Sequence, residues 1–265
     1  MDVKNTDQKK TWQKYSRLII LLTVFGIMAT LAVIPYVFSI QSDLIQRMNL
    51  PAWFVVLALS LQSGLFVFFC SWLGLKFGMP LGLDAPFLKA FVYGLAMPRI
   101  SKRVVFAAVL MGIMIALFIV VLDRKIFMPL VPADMADKIT GFGVERWQGF
   151  LASFYGGIVE EVLLRFAVMT MLVWSLWKTI FRKKDRPAAW VYWAGNIAAA
   201  FLFGIGHLPA LAGAGSLTTM LVVRTVALNA MAGVVFGYFY WKKGLEHAML
   251  SHFCADIVLH VIFLI

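Results

Sequence analysis

The chain has 265 residues, of which 62% are hydrophobic and 14% are charged, and its formal net charge is +11. So large an apolar fraction excludes a soluble globular domain, and runs of about 20 apolar residues recur along the whole length. The basic residues lie between these runs rather than along one face, so they indicate membrane topology and not nucleic-acid binding.

Seven apolar runs, separated by charged, Pro-bearing or Gly-bearing connectors, predict seven transmembrane spans. The runs cover about 17–40, 52–75, 104–122, 147–177, 188–208, 218–241 and 245–265. The predicted fold class is all-α, a polytopic transmembrane helical bundle of about seven spans (six to eight). The whole chain, 1–265, is expected to form a single integral membrane domain. The Pro-rich connector 78–103 also predicts an interfacial helix.

Lys and Arg are divided unevenly between the two sets of alternate connectors. Most of them lie in the N-terminal tail and in connectors 76–103, 178–186 and 242–243, whereas few lie in connectors 41–51, 123–146 and 209–217. Because basic connectors stay in the cytoplasm, the N-terminus is predicted to be cytoplasmic and the C-terminus to lie outside. Connector 123–146 is then the largest outer loop.

Two carboxylates and a guanidinium lie inside the fourth apolar run, at Glu160, Glu161 and Arg165. A charge near mid-membrane costs at least ~2.5–3.5 kcal/mol, so such a cluster must be paired, face water or perform chemistry. Residues four apart share a helix face, which predicts that Glu161 pairs with Arg165 while Glu160 points elsewhere and stays free to accept a proton. The alternative is a structural ion-pair network that joins helices.

Polar side chains also interrupt the fifth and seventh runs. Phe203 and His207 are four residues apart before Pro209, and His252 and Asp256 are four apart in the last run. Each pair is expected to share a helix face. Counted along each span at the helical rise per residue, however, His207 lies near the outer end of its span and His252 near the inner end of its own. The two residues are then expected to differ in membrane depth by more than ~10 Å.

The sixth run carries two polar residues and a pair of glycines. Arg224 and Asn229 are expected to form hydrogen bonds across helices or to line a cavity. Gly233 and Gly237 form a small-xxx-small pair, which predicts close helix packing.

Several motifs of known membrane and nucleotide enzymes are absent from the sequence. There is no H-E-x-x-H helix, no G-x-S-G, no G-x-G-D, and no Walker A or dinucleotide fingerprint. No cofactor is therefore predicted, and glutamate, histidine and water remain as the available chemistry. Cys70 and Cys254 both lie in apolar runs and are interpreted as small core residues.

Taken together, these segments resemble the CPBP family, the CAAX-processing and bacteriocin-processing membrane proteases typified by the type II CAAX prenyl endopeptidases. The family pattern is E-E-x-x-x-R, then F-x-x-x-H, then H-x-x-x-N or a close variant. The matching residues are Glu160, Glu161 and Arg165, then Phe203 and His207, then His252 and Asp256. The likeness covers about residues 150–260, which defines a CPBP-like core at 147–260 after less specific N-terminal spans at 1–146.

The resemblance implies an intramembrane endopeptidase in which Glu160 and His207 activate a water molecule. It assigns His252 and Asp256 to the oxyanion site, and Glu161 and Arg165 to supporting positions. It implies a multi-pass protein of a bacterial inner membrane that acts on membrane-associated proteins or peptides. Asp256 stands where the family usually has Asn, and a carboxylate donates to an oxyanion only when protonated. Phe166 stands where a glycine often follows the motif arginine, which predicts a narrower cavity.

Two other functions use the same residues. Glu160, His207, His252 and Asp256 are all plausible Zn²⁺ ligands, so one alternative is a metal-dependent membrane hydrolase. The other is a non-catalytic membrane immunity or scaffold protein, in which the ionisable residues form a structural network. The oligomeric state and the identity of the substrate do not follow from the sequence.

Overall fold

The computed structural model describes residues 3–132, 143–180, 186–213 and 218–264, and these ranges are helical without any strand. The helices are α1 (Val3–Ile40), α2 (Ser42–Met48), α3 (Ala52–Gly78), α4 (Pro86–Tyr93), α5 (Lys102–Leu122), α6 (146–180), α7 (Ala189–Gly206), α8 (Leu208–Gly213), α9 (Thr219–Lys243) and α10 (Leu245–Asp256). The predicted all-α polytopic bundle is confirmed.

Six helical segments of the described ranges are long and apolar enough to cross a membrane. They are Tyr15–Ile40, Ala52–Leu81, Lys102–Leu130, Ala189–Leu211, Thr219–Lys243 and Leu245–Ile262. Each corresponds to one of the seven predicted spans. The remaining predicted span, 147–177, lies within α6, whose apolar run is interrupted by Glu160, Glu161 and Arg165. The chain is thus an integral multi-pass membrane protein, and its lipid-facing surface presents large apolar side chains such as Phe106, Leu65 and Phe69.

The middle of α6 departs from regular α-helix. Arg146–Phe154 and Thr170–Ile180 are α-helical, whereas Tyr155–Glu160 and Val162–Met169 are wound as π-helix. π-helical turns are rare and are found frequently at functional sites. These π-helical turns contain or flank the charged residues Glu160, Glu161 and Arg165.

The connector between the third and fourth runs differs from its prediction. Helix α5 continues as a π-helical turn, Asp123–Phe127, and a 3₁₀ turn, Met128–Leu130, so the first part of the predicted loop 123–146 is helical. The rest of that loop, at 133–142, lies outside the described residues. The interfacial helix predicted within 78–103 corresponds to α4.

Helices α7 and α9 pack closely at the glycines predicted for this role. A Cβ at Gly233 would lie 2.9 Å from Cβ of Ala200, and a Cβ at Gly237 would collide with the amide oxygen of Asn196. The Asn196 amide donates to the carbonyl of Val234 at 2.9 Å. The two glycines therefore let the backbone of α9 approach α7, which holds the two helices in a fixed register.

A buried ion pair joins α9 to the end of α5. Arg224 donates from Nε and Nη2 to the two carboxylate oxygens of Asp123, at 2.6 and 2.7 Å. Asp123 is 1% exposed. This bidentate pair neutralises the arginine that the sequence left without a partner in the sixth span.

Removing the carboxylate of this pair should destabilise the bundle. Asp123→Ala leaves the partly buried Arg224 without its anion, and because breaking a fully buried pair costs about 3–5 kcal/mol, we expect a somewhat smaller loss here. We expect a markedly lower unfolding temperature in detergent. The double variant Asp123→Ala/Arg224→Met should recover part of the loss, because no charge is then left unpaired. Equal destabilisation by the single and double variants would contradict the pairing.

Candidate active site

A cavity of about 570 Å³ lies within the bundle and is lined by residues of α1, α3 and α5 to α10. The four residues predicted to carry the chemistry all line it: Glu160, His207, His252 and Asp256. The two predicted supporting residues, Glu161 and Arg165, are buried behind this wall at 0% and 1% exposure. The structure thus brings all six residues together.

Glu160 lies between the two imidazoles. Its Oε1 is 4.0 Å from Nε2 of His207, and its Oε2 is 3.7 Å from Nε2 of His252. Both separations exceed a direct hydrogen bond. The Glu160 side chain is 22% exposed, whereas that of Glu161 is fully buried, so the predicted division between a free and a paired carboxylate matches the geometry.

The backbone sets the orientation of the His207 ring at the end of α7. Nδ1 of His207 is 2.8 Å from the carbonyl oxygen of Phe203, one helical turn earlier. A carbonyl can only accept, so Nδ1 carries the proton and donates. In the neutral ring, Nε2 then presents its lone pair towards Glu160.

His252 is held from behind by the second carboxylate. Its Nδ1 donates to Oε1 of Glu161 at 2.8 Å, and the same oxygen lies 3.4 Å from Nη1 of Arg165. Its Nε2 faces the cavity, 3.5 Å from Oδ1 of Asp256. The Phe236 ring stacks on the imidazole with centroids 4.3 Å apart and planes 17° apart. The ring can hardly rotate or tilt between these partners.

Arg165 links the carboxylate cluster to the aromatic side chains beside it. Its guanidinium lies 4.6 Å from the Phe203 ring centroid and 5.5 Å from that of Phe236. It also donates from Nη2 to the carbonyl of Gly233 at 3.2 Å. A planar cation suits this position because it can stack on rings and donate at its edge at once.

A glycine of α6 makes room for the Asp256 carboxylate. A Cβ at Gly156 would collide with Oδ2 of Asp256 and would lie 3.1 Å from Nε2 of His252. The colliding atom is at the end of the Asp256 side chain, which can rotate away without any change in the backbone. The carboxylate would then leave its position beside His252.

We expect Gly156→Ala to reduce cleavage with little loss of stability, because the methyl group pushes the Asp256 carboxylate away from His252. The measurements are initial cleavage rate and unfolding temperature in detergent. Gly206→Ala is the matched control, since a Cβ there meets nothing within 4 Å in the described part of the protein. Equal activity of both variants would show that the position of Asp256 does not matter.

The expected depth mismatch between His207 and His252 is wrong, because both rings lie within 4.0 Å of the same glutamate. Helix α7 ends at Gly206, so His207 sits at its last turn, while α10 begins at Leu245 and brings His252 seven residues into the bundle. The depth estimate failed because it assumed that all spans are perpendicular to the membrane and equally long.

The other two polar residues singled out in the sequence, Arg224 and Asn229, line the cavity. His260, Tyr36 and Tyr155 line it as well, and this aromatic lining was not predicted. Phe166 is fully buried and packs edge-on against Tyr240 rather than lining the cavity, so the predicted narrowing is not seen.

No set of three or more His, Cys, Asp or Glu side chains in the described ranges has the arrangement needed to hold a metal ion. The Nε2 atoms of His207 and His252 lie 3.5 to 4.0 Å from the carboxylate oxygens of Glu160 and Asp256.

The fold and the buried polar cavity define a polytopic membrane protein with an ionisable site enclosed by its helices. The family model described as Type II CAAX prenyl endopeptidase Rce1-like matches residues 143–258, which include all six predicted site residues. The predicted family resemblance is confirmed over these residues, and the match supports a CAAX-type intramembrane protease. No curated protein and no solved structure shows a significant match to the chain.

Proposed function

We propose that the protein is a glutamic intramembrane endopeptidase that hydrolyses a peptide bond of a membrane-associated protein or peptide. The observation that carries this proposal is the position of Glu160 at the cavity wall, between the Nε2 atoms of His207 and His252 at 4.0 and 3.7 Å. Each gap is too long for a direct hydrogen bond and suits a bridging water molecule.

In the proposed reaction, a water molecule donates one hydrogen bond to Oε1 of Glu160 and the other to Nε2 of His207. Glu160 takes the proton as the water oxygen bonds to the scissile carbonyl carbon. The same proton then passes to the leaving nitrogen as the C–N bond breaks. His207 accepts through Nε2 because the carbonyl of Phe203 holds the single N–H proton of the neutral ring on Nδ1.

We propose that His252 stabilises the oxyanion. In its doubly protonated form, His252 donates Nδ1–H to Glu161 and Nε2–H towards the cavity, and three carboxylates compensate its charge. Asp256 then acts as an acceptor that positions His252, not as an oxyanion donor. Preorganised donors of this kind are often the largest catalytic contribution.

The test is cleavage of a membrane-tethered fluorogenic peptide by the purified protein in detergent, with and without a metal chelator. We expect cleavage to continue in the presence of chelator. Loss of activity with chelator, restored by added Zn²⁺, would favour the metal-dependent hydrolase. Absence of cleavage of any tethered peptide by a folded protein would favour the non-catalytic scaffold.

A further inference from the structure

The catalytic cavity extends from one end of the bundle to about its middle. The lining residues of α1 begin at Thr30, in the second half of the helix, and continue to Gln41 just beyond it. The lining residues of α9 begin five residues after its start, at Arg224, and end at Phe236, just past its midpoint. Those of α7 and α8 run from Phe203 to Leu211. The cavity therefore lies in the half of the bundle where α1 ends and α9 begins.

We call this half the distal end and the half where α1 enters the bundle the proximal end. Contacts between helices confirm that each end is one continuous region. At the proximal end, Tyr192 donates to the carbonyl of Leu81, and the amide of Leu245 donates to the carbonyl of Asp84. At the distal end, Gln148 donates to Ser39 of α1.

The two ends differ strongly in charge. In the described ranges, the distal connectors and the helix turns next to them hold only Arg47, Arg124, Lys125 and Arg146. Apart from Arg165 and Arg224 inside the bundle, the other Lys and Arg of those ranges belong to the proximal end. Every connector is short enough for the positive-inside rule to apply, so the proximal end is assigned to the cytoplasm.

We infer that the catalytic cavity opens on the non-cytoplasmic side of the membrane. The inference rests on the proposed function and specifies its substrate class. The substrate is a membrane-tethered polypeptide whose scissile bond lies at or just beyond the outer end of its membrane segment. A lipidated tail confined to the cytoplasm does not reach this opening.

The cavity lining is consistent with such a substrate. Apolar side chains such as Val37, Leu59 and Leu259 can contact the membrane-embedded part of a peptide, while Gln41 and Asn229 add polar groups to the lining. A peptide bond held there would be partly removed from lipid and within reach of water, as hydrolysis requires.

Sidedness can be measured without any activity, by cysteine labelling of the full chain in cells. Cys70 and Cys254 are first replaced by Ala. Ala210→Cys then reports on the cavity rim and Ser101→Cys on the proximal end, both exposed and small. We expect a membrane-impermeant maleimide to label Ala210→Cys in intact spheroplasts, and Ser101→Cys only in inverted vesicles.

A second pair, Gln41→Cys and Arg99→Cys, repeats the comparison if one variant of the first pair fails to fold. Labelling of Ser101→Cys or Arg99→Cys from outside would overturn the inference, whatever the enzymatic activity.

Substrate sidedness is tested with two tethered reporters that carry the same cleavable segment either outside or inside the membrane. We expect cleavage of the outer reporter alone. Cleavage of the inner reporter alone would overturn the inference while leaving the proposed peptidase intact. Correct labelling without cleavage of either reporter would overturn the proposed function, and with it the substrate class.

Discussion

Glu160→Gln is expected to lower the rate of peptide cleavage by about 10²–10⁴-fold, the usual contribution of a general base. Glutamine keeps the size of the side chain but cannot take a proton from water. Glu160 makes no direct hydrogen bond to either imidazole, at 3.7 Å or longer, and Glu161 and Asp256 still face His252 when the charge of Glu160 is removed. The unfolding temperature in detergent should therefore stay the same or rise slightly.

The matched control for this change is Glu145→Gln on the same helix. Glu145 caps the start of α6 in a reciprocal arrangement with Gln148, outside the cavity. We expect full activity from this variant, because an amide oxygen can still accept from the backbone. Comparable activity of Glu160→Gln and Glu145→Gln would remove the glutamate from the mechanism and favour a structural role for the cluster.

Combining the change at Glu160 with one at His207 tests whether the two side chains act on one water molecule. His207→Ala alone should cause a loss of similar size. Groups that act as a unit are strongly non-additive, so the double variant should be no slower than the slower single variant. A multiplicative loss would show that Glu160 and His207 act in separate steps.

The local part of the site could be predicted from the sequence because it depends on helical spacing. Glu161 and Arg165, and likewise His252 and Asp256, are four residues apart, and both pairs are found on shared faces. The small-xxx-small pair at Gly233 and Gly237 also follows from local pattern alone. Such relations need only the knowledge that the segment is helical.

The assembly of the site from three helices could not be predicted from spacing. The depths of His207 and His252 depend on where their helices begin and end. These helix ends cannot be predicted from an apolar run that has no sharp boundaries. The pairing of Arg224 with Asp123 joins residues 101 positions apart, so no local pattern indicates it. What the sequence does indicate is that an arginine within a span needs some partner.

The free energy of unfolding should fall by about 3–5 kcal/mol in Arg165→Met, because the buried Glu161 carboxylate then loses its guanidinium partner and keeps only His252. Methionine fills similar space, so the loss reports on charge more than on a cavity. The variant also loses the donor to Gly233 and the stacking on Phe203. We expect activity to fall as well, since Glu161 is the residue that holds His252.

A double-mutant cycle separates the charge effect from the packing effect. Adding Glu161→Gln to Arg165→Met removes the stranded charge while the amide oxygen can still accept from His252, so part of the stability should return. Arg146→Met is the control on the same helix, and its effect should stay within about 0.5 kcal/mol because Arg146 is exposed. If Glu161→Gln adds its full cost on top of Arg165→Met, the pair is not coupled, and the proposed support of His252 through Glu161 and Arg165 fails.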